Sequence, residues 1–140
     1  MEIHIKRLVN DAILPKYGRD GDAGLDLYTT EEKLLQPGER YMFSTGIAFA
    51  IPKGTVGLIW DRSGLAGKHG LTALGGVLDH TYRGEIKVVL LNTSVDTYHV
   101  KKGDRIAQLL IQPIHTVTVV EKEVIDETVR SDGGFGSSGR

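Results

Sequence analysis

Hydrophobic and polar residues alternate with period two along several short stretches of this chain, as in β-strands that have one exposed face. The alternation is clear at residues 2–8, 23–28 and 116–124, and an apolar run at 86–91 is typical of a buried strand. Turn residues separate such stretches about every 8–12 residues. We therefore expect roughly ten short strands and almost no helix, in an all-β fold of the jelly-roll-like β-barrel type.

Interruptions of this pattern locate turns, one helix and a tail. The apolar segment 41–51 is broken at Ser44-Thr45-Gly46, so two short strands are expected there. The one plausible helix covers 64–69 with Ser63 as its N-cap. Residues 75–85 predict a β-hairpin with a broad tip. The pattern stops at Asp126, which divides the chain into a β-barrel domain at 1–125 and a flexible tail at 126–140.

Composition and charge argue against several classes of protein. The 140 residues suit one domain, and 17 basic against 18 acidic side chains give a formal charge of −1. Such a balance does not favour nucleic acid or a membrane surface as a partner. The chain has no cysteine, which excludes disulfides, thiolate metal sites and cysteine nucleophiles. Without a signal-peptide pattern or an apolar run of membrane-spanning length, a cytoplasmic protein is expected.

Polar residues at turns and within apolar strands are candidates for a binding site, although each has a simpler structural explanation. Asp79 lies in a turn close to Tyr82, where an Asp usually serves only local hydrogen bonding. Arg62-Ser63-Gly64 at a helix start would suit a phosphate, or would be an ordinary helix cap beside a surface arginine. Gln108, within an apolar strand, either faces outward or directs its amide at a ligand.

The glycine-rich tail also allows two interpretations. Its glycines would let the backbone close over phosphates, and Phe135 would offer a stacking face for a base. The alternative is a disordered tail without function.

Protein-ligated metal is not indicated by the sequence. The spacing of Asp20, Asp22 and Asp26 does not match a calcium-binding loop of the EF-hand type, and the histidines lack zinc-ligand spacing.

Five short motifs nevertheless occur in a specific order. They are Ala23-Gly24-Leu25-Asp26-Leu27, Arg62-Ser63-Gly64-Leu65-Ala66, Gly76-Val77-Leu78-Asp79 with Tyr82-Arg83-Gly84-Glu85, Gly103-Asp104-Arg105-Ile106-Ala107-Gln108-Leu109, and Gly133-Gly134-Phe135-Gly136-Ser137. Their order closely resembles the five motifs of the trimeric dUTP pyrophosphatase (dUTPase) family, over about residues 23 to 138.

The resemblance implies an enzyme that hydrolyses dUTP to dUMP and pyrophosphate, with Mg²⁺ held chiefly by the triphosphate. It implies a jelly-roll protomer in a homotrimer whose three active sites each draw on all three chains. Such an enzyme limits uracil incorporation into DNA and supplies dUMP for thymidylate synthesis. The parts of the chain also suit the chemistry, because in-line attack on a triphosphate needs a positioned water, a base and neutralisation of the leaving pyrophosphate.

Matching positions imply a role for each site residue. Asp79 would orient and deprotonate the attacking water, and Tyr82 would pack under the deoxyribose and exclude a 2′-hydroxyl. Asp26 would act through water on Mg²⁺ or through Arg62. The remaining substrate-binding positions are Gly76, Val77, Leu78 and Lys87, whose backbone would bind uracil; Arg62, Ser63, Gly64 and Gln108, which would bind phosphates; and, in a C-terminal lid, Arg130, Gly134, Phe135, Gly136, Ser137 and Ser138.

The chain departs from the family pattern at several positions. Asp61 stands where proline commonly precedes Arg-Ser-Gly, and Thr81 replaces a frequent Asp. Ala73 stands where some members place an Asn against the base, and Ser138 replaces the usual Thr. None of these changes removes a catalytic part, but Ala73 leaves uracil recognition more dependent on backbone groups.

Two other functions fit the same fold. A dCTP deaminase would carry a catalytic Glu three residues before the strand-ending Asn92, but that position is Val89, which cannot transfer protons. A non-catalytic nucleotide sensor or partner-binding module is the second alternative, and the intact Asp79 argues against it.

Overall fold

Eleven β-strands and one short α-helix make up the part of the chain that the structure, a computed structural model, describes, namely residues 1–126 and 128. The elements are β1 (His4–Arg7), β2 (Lys16–Tyr17), β3 (Leu25–Tyr28), β4 (Lys33–Leu35), β5 (Arg40–Ala50), β6 (Thr55–Trp60), α1 (Ser63–His69), β7 (Leu71–Leu74), β8 (Val77–Leu78), β9 (Glu85–Asn92), β10 (Tyr98–Val100) and β11 (Arg105–Pro113). The prediction of a mostly β fold with one short helix is confirmed. Within the described residues, no helix has the length and apolar character needed to cross a membrane.

The strands form two large antiparallel sheets and one small sheet. The four-stranded sheet has the order β1-β5-β9-β7, the five-stranded sheet β2-β3-β11-β6-β8, and the small sheet β10-β4. Phe43 and Val88 from the first sheet belong to the same buried cluster as Leu27 and Leu109 from the second. Burying one such side chain stabilises a fold by about 1.5–3 kcal/mol, so this shared core joins the sheets into one domain.

β5 is one continuous strand of 11 residues, so the prediction of two short strands at 41–51 is wrong. The interruption is an irregularity of the bulge type, since the register with β9 shifts between Ser44 and Ala48. Gly46 within it has φ 69°, and its N–H donates to Glu85 Oε1 at 2.9 Å. The side chain of Glu85 thus fixes the bulge against the start of β9 instead of letting the chain turn.

The short helix begins one residue earlier than predicted. Arg62, not Ser63, is the N-cap, with an extended backbone (φ −86°, ψ 123°) and no side-chain capping bond. The Arg62 carbonyl accepts the Ala66 N–H at 2.9 Å. The prediction was wrong because the backbone leaving β6 remains extended through Arg62, which places Ser63 inside the first turn.

The two arms of residues 75–85, called the bridging segment below, do not pair with each other. β8 pairs with β6 in the five-stranded sheet, whereas β9 pairs with β5 and β7 in the four-stranded sheet. The prediction of a simple hairpin is corrected accordingly, because each arm finds its partner in a different sheet. A turn at the tip is closed by the Tyr82 N–H, which donates to the Asp79 carbonyl at 3.1 Å.

Residues 114–126, the C-terminal arm, contain no strand, so the strand expected at 116–124 is not found in this part of the chain. A segment with alternating side chains becomes a strand only where a neighbouring strand pairs with its backbone. No described strand pairs with the arm, which follows the end of β11 at Pro113. Val117, Val119 and Ile125 are 75%, 91% and 86% exposed. The arm therefore carries β-branched apolar side chains that the described part of the chain does not cover.

Candidate active site

A cleft lined by three arginines lies between the 18–24 loop, the start of α1 and the strand β11. Its volume is about 460 Å³. The guanidinium groups come from Arg19, Arg62 and Arg105, and two carboxylates come from Asp22 and Asp26. The remaining lining residues are Gly18, Ala23, Gly24, Ser63, Gly64 and Gln108. With three positive against two negative groups, this arginine cleft favours an anionic ligand.

Asp26 is the buried electrostatic partner of two of these arginines. Its Oδ1 accepts from Arg62 Nε at 3.0 Å and its Oδ2 from Arg105 Nη1 at 3.2 Å, while its side chain is only 11% exposed. The carboxylate is therefore compensated, and in turn it orients both guanidinium groups. Burial raises the pKa of the Tyr28 hydroxyl, and the Asp26 charge raises it further, so Tyr28 is neutral at physiological pH.

An irregularity in β11 brings Arg105 into the cleft with Gln108. The register against β3 shifts between Arg105 and Ala107, which adds one residue on β11 relative to its partner. Two residues three positions apart, which normally face opposite sides of a strand, therefore line the same cleft. Gln108 Nε2 donates to the Asp61 carbonyl at 2.7 Å. A Cβ on Gly24 would come within 2.5 Å of Gln108 Oε1, so glycine there leaves room for the amide.

The bridging segment lines a second cleft, with a volume of about 240 Å³. Asp79 is exposed, and Tyr82 is 45% exposed with its hydroxyl donating to the Glu85 carbonyl at 2.9 Å. A Cβ on Gly84 would overlap the Tyr82 hydroxyl, so glycine lets the ring fold over the turn. The lining residues of this bridging-segment cleft are Met42, Val77, Leu78, Asp79, Tyr82, Glu85 and Lys87.

The pairing of β8 with β6 directs the backbone of Val77 away from β6. The Ile59 N–H donates to the Gly76 carbonyl at 2.8 Å, and Gly57 is opposite Leu78 one register step further. Because successive residues of an antiparallel strand point their N–H and C=O groups to opposite edges, those of Val77 point toward the other arm. That arm is not paired with β8. The Val77 peptide groups are therefore available to a ligand.

The structure divides the predicted site residues into two groups. Arg62, Ser63, Gly64, Gln108 and Asp26 line the arginine cleft. Val77, Leu78, Asp79, Tyr82 and Lys87 line the bridging-segment cleft, with Gly76 immediately before them. The two clefts share no lining residue. The predicted lid residues Arg130, Gly134, Phe135, Gly136, Ser137 and Ser138 lie outside the described residues.

Sequence reasoning did not select Arg19, Asp61 or Arg105 as site residues. Arg19 and Arg105 line the arginine cleft, and Asp61 accepts hydrogen bonds from β7. Arg105 was hidden by the bulge, since strict alternation places it opposite Gln108. Asp61 had one available signal, its position where the family pattern commonly has proline.

These features define an all-β protein with an arginine-lined anion cleft and a second cleft that carries an exposed carboxylate. A family model described as dUTPase matches residues 10–139. The deoxyuridine 5'-triphosphate nucleotidohydrolase of Clostridium kluyveri is 47% identical over 141 residues, covering 99% of each chain. That of Nocardia farcinica is 52% identical over 140 residues, covering 98% of this chain and 85% of its own.

Solved structures agree with the sequence comparison. A dUTPase variant from Staphylococcus bacteriophage 80alpha, solved with dUpNHpp, matches with a TM-score of 0.91 at 29% identity over 99% of each chain. A dUTPase variant from phage phi11 of S. aureus, described for its coordination of a structural Mg(II) ion, matches with a TM-score of 0.84 at 27% identity, over 91% of this chain and 100% of its own. The chain therefore belongs to the dUTPase family. The prediction of this family, and of a nucleotidohydrolase, from the five motifs is confirmed.

Proposed function

We propose that this protein hydrolyses dUTP to dUMP and pyrophosphate, which limits uracil incorporation into DNA and supplies dUMP for thymidylate synthesis. The observation that carries the proposal is its similarity, over nearly its whole length, to deoxyuridine 5'-triphosphate nucleotidohydrolases. The arginine cleft supports it independently, because a triphosphate is the kind of anion that paired guanidinium groups bind.

In the proposed reaction, Asp79 is the general base. A water oxygen attacks a phosphorus atom of the triphosphate in line, the bond to the bridging oxygen breaks, and pyrophosphate leaves with the electron pair of that bond. The Asp79 carboxylate takes the water proton. Its exposure in the bridging-segment cleft supports this role, because the carboxylate is accessible to water and substrate.

The phosphate chain is proposed to bind Arg62, Ser63, Gly64 and Gln108. Asp26 holds the Arg62 guanidinium by its Nε at 3.0 Å, and the Arg105 carbonyl accepts from its Nη1 at 3.4 Å, so the group is pre-organised before substrate arrives. An arginine fixed in this way gains more from binding than one that must be ordered by the ligand.

Mg²⁺ is proposed to be held mainly by the triphosphate. Among the described residues no group of three acidic, histidine or cysteine side chains could hold a metal, and both Asp26 oxygens already accept from arginines. Because both of its oxygens are engaged in this way, Asp26 fits a contact with Mg²⁺ through water better than direct ligation. When bound, Mg²⁺ supplies charge neutralisation on the leaving pyrophosphate.

Selection of deoxyuridine is proposed to rest on the bridging segment. The N–H and C=O of Val77, directed away from β6, can pair with the uracil edge. Gly76 and Leu78, which face β6, would hold Val77 in place, and the backbone of Lys87 would approach the base from the other arm. The Tyr82 ring, placed over Gly84, would pack under the deoxyribose and leave no space for a 2′-hydroxyl. A steady-state comparison of dUTP with UTP, dTTP and dCTP tests this, with ammonia monitored for dCTP. Equal turnover of UTP, or ammonia release, would contradict the proposal.

We further propose a homotrimer of jelly-roll protomers with shared active sites. Asp79 and the phosphate-binding residues line separate clefts of one chain, so a complete site can form where the bridging segment of one chain meets the arginine cleft of another. The exposed valines of the C-terminal arm support assembly, because such side chains gain stability when a neighbouring chain covers them.

Mixing two inactive variants tests the shared site. Asp79→Asn and Arg62→Ala chains, each inactive alone, are unfolded together at equal concentration and refolded. If base and phosphate groups come from different chains, random assembly should restore about one quarter of the wild-type sites. If each chain carries a complete site, mixing restores none. Light scattering that shows a fully active monomer would equally contradict the trimer.

Residues 126–140 are proposed to act as a lid, with Arg130 and the Gly136-Ser137-Ser138 turn on the γ-phosphate and Phe135 over the uracil. Stacking on a base contributes about 1–3 kcal/mol, and a charge-assisted contact from Arg130 about 1.5–3 kcal/mol. Closure should therefore require the γ-phosphate as well as the base. Deleting residues 127–140 and measuring turnover of dUTP tests this role.

A further inference from the structure

Asp61 connects the arginine cleft to the strand that leads into the bridging segment. Its Oδ1 accepts the Ala73 N–H at 2.5 Å, and its Oδ2 accepts the Thr72 hydroxyl at 3.0 Å. Its backbone carbonyl accepts from Gln108 Nε2 at 2.7 Å. Asp61 also directly precedes Arg62. One residue therefore contacts phosphate-binding groups on one side and β7 on the other.

The contact with β7 replaces a missing strand. β7 lies at the edge of the four-stranded sheet, where β9 is its only partner among the strands of residues 1–126. Within the described part of the chain, the N–H groups on its outer edge have no strand partner, and an unpaired backbone donor away from water is costly. The Asp61 carboxylate accepts the Ala73 N–H and so fastens this edge to the end of β6. Proline, common at this position in the family pattern, offers no side-chain acceptor for such a contact.

On the basis of the proposed dUTPase activity, we propose that Asp61 is a positioning residue that fixes Arg62 and Gln108 relative to the strand leading to Asp79. In the proposed trimer these groups of one chain serve two neighbouring sites, so Asp61 sets how each chain presents its phosphate-binding groups to one site and its base to the next. β7 runs into the bridging segment after Leu74, so its position decides where that segment starts. Both oxygens of the Asp61 carboxylate accept from β7, and Asp61 is not among the residues that line the arginine cleft. Its contribution is therefore placement of the reacting parts rather than direct binding.

Kinetics of Asp61→Ala test the proposal against a merely structural role. Misplacement of reacting groups by about 1 Å can reduce a rate by about 10²-fold, so kcat for dUTP should fall about 10- to 100-fold. The Kd for a non-hydrolysable dUTP analogue should change less than about threefold, since Arg62 keeps its Asp26 partner and Gln108 its backbone acceptor. The pH profile of kcat should keep its shape, because the base is unchanged.

Three further variants sharpen the comparison. Asp61→Asn keeps an acceptor for Ala73 and a partner for Thr72 without the charge, and should retain kcat within about threefold. Thr72→Val removes one of the two contacts and should lower kcat by about three- to tenfold. Asp96→Ala removes an exposed carboxylate away from both clefts and should leave kcat unchanged. If Asp61→Ala does not fold, Asp61→Asn and Thr72→Val decide the matter.

Amide exchange at Ala73 provides a readout that does not depend on turnover. Exchange should accelerate at least about tenfold in Asp61→Ala and remain slow in Asp61→Asn. A wild-type kcat in Asp61→Ala, an asparagine variant as impaired as the alanine variant, or a loss confined to Kd would each overturn the proposal. A wild-type protein that does not hydrolyse dUTP would instead overturn the proposed function, and the exchange result would still report on the link.

Discussion

Replacing Gly76 by alanine should separate β8 from β6, whereas the same change at Gly75 should not. Both glycines have positive φ, 72° at Gly75 and 94° at Gly76, where an L-residue is strained by roughly 1–2 kcal/mol. The surroundings differ. A Cβ on Gly75 would meet no atom of the described residues within 4 Å, but one on Gly76 would lie 2.8 Å from the Ile59 carbonyl oxygen.

This close contact sets the size of the difference between the two variants. The Ile59 oxygen belongs to the backbone, so relief requires moving β8 and breaking the bond from the Ile59 N–H to the Gly76 carbonyl, 2.8 Å long. Losing that bond costs about 0.5–1.5 kcal/mol. With backbone strain, Gly76→Ala should destabilise by about 1.5–3.5 kcal/mol, against about 1–2 kcal/mol for Gly75→Ala.

Thermal unfolding at one fixed protomer concentration measures this difference. For a chain of this size about 1 kcal/mol shifts the Tm by roughly 3–5 °C, so Gly76→Ala should lower the Tm by about 5–17 °C and Gly75→Ala by about 3–10 °C. Turnover of dUTP should fall at least about tenfold in Gly76→Ala only, because Val77 and Asp79 move with β8. Equal losses of Tm in the two variants would refute the close-contact argument.

Four other outcomes follow from the same account. Asp79→Asn should lower kcat by about 10²–10⁴-fold with analogue binding retained, and near-normal turnover would remove Asp79 as the base. Tyr82→Ala should allow UTP to be hydrolysed; unchanged rejection of UTP would assign sugar selection to another group. Deleting residues 127–140 should leave the Tm and oligomeric state nearly unchanged while turnover falls at least about tenfold, and a full rate would disprove the lid. The hydrogen bond from Lys33 lowers the pKa of the Glu39 carboxyl, so this pair stabilises the fold at neutral pH and the stabilisation is lost as the pH falls through the lowered pKa. Glu39→Gln should therefore reduce the Tm slightly at pH 7 and not at pH 2. A Tm difference that is the same at both pH values would contradict this pH dependence.

Period-two patterning was sufficient to predict the main strands, because burial on one face forces alternation. In β9, buried Ile86, Val88 and Leu90 alternate with Lys87 and Val89, which are less buried. Patterning failed where pairing partners decide the structure. It could not show that the arms of the bridging segment join different sheets, or that the C-terminal arm lacks a partner within the described residues.

The candidate site was predictable in its motifs but not in its contacts. Asp26, Arg62 and Gln108 were selected from three separate motifs, and the structure places all three on one cleft. Arg105 was missed because a register shift, which alternation cannot reveal, turns it toward Asp26. Asp61 was noticed only as a departure from a family pattern, since its hydrogen bonds to β7 depend on tertiary structure.

Identifying the products that the purified protein forms from dUTP and Mg²⁺ tests the proposed activity without assuming any residue's role. Phosphorus NMR of the reaction should show dUMP and pyrophosphate appearing in equal amounts, with no dUDP, and the Asp79→Asn protein should form them far more slowly. Orthophosphate with dUDP, or no reaction by the wild-type protein, would contradict the account.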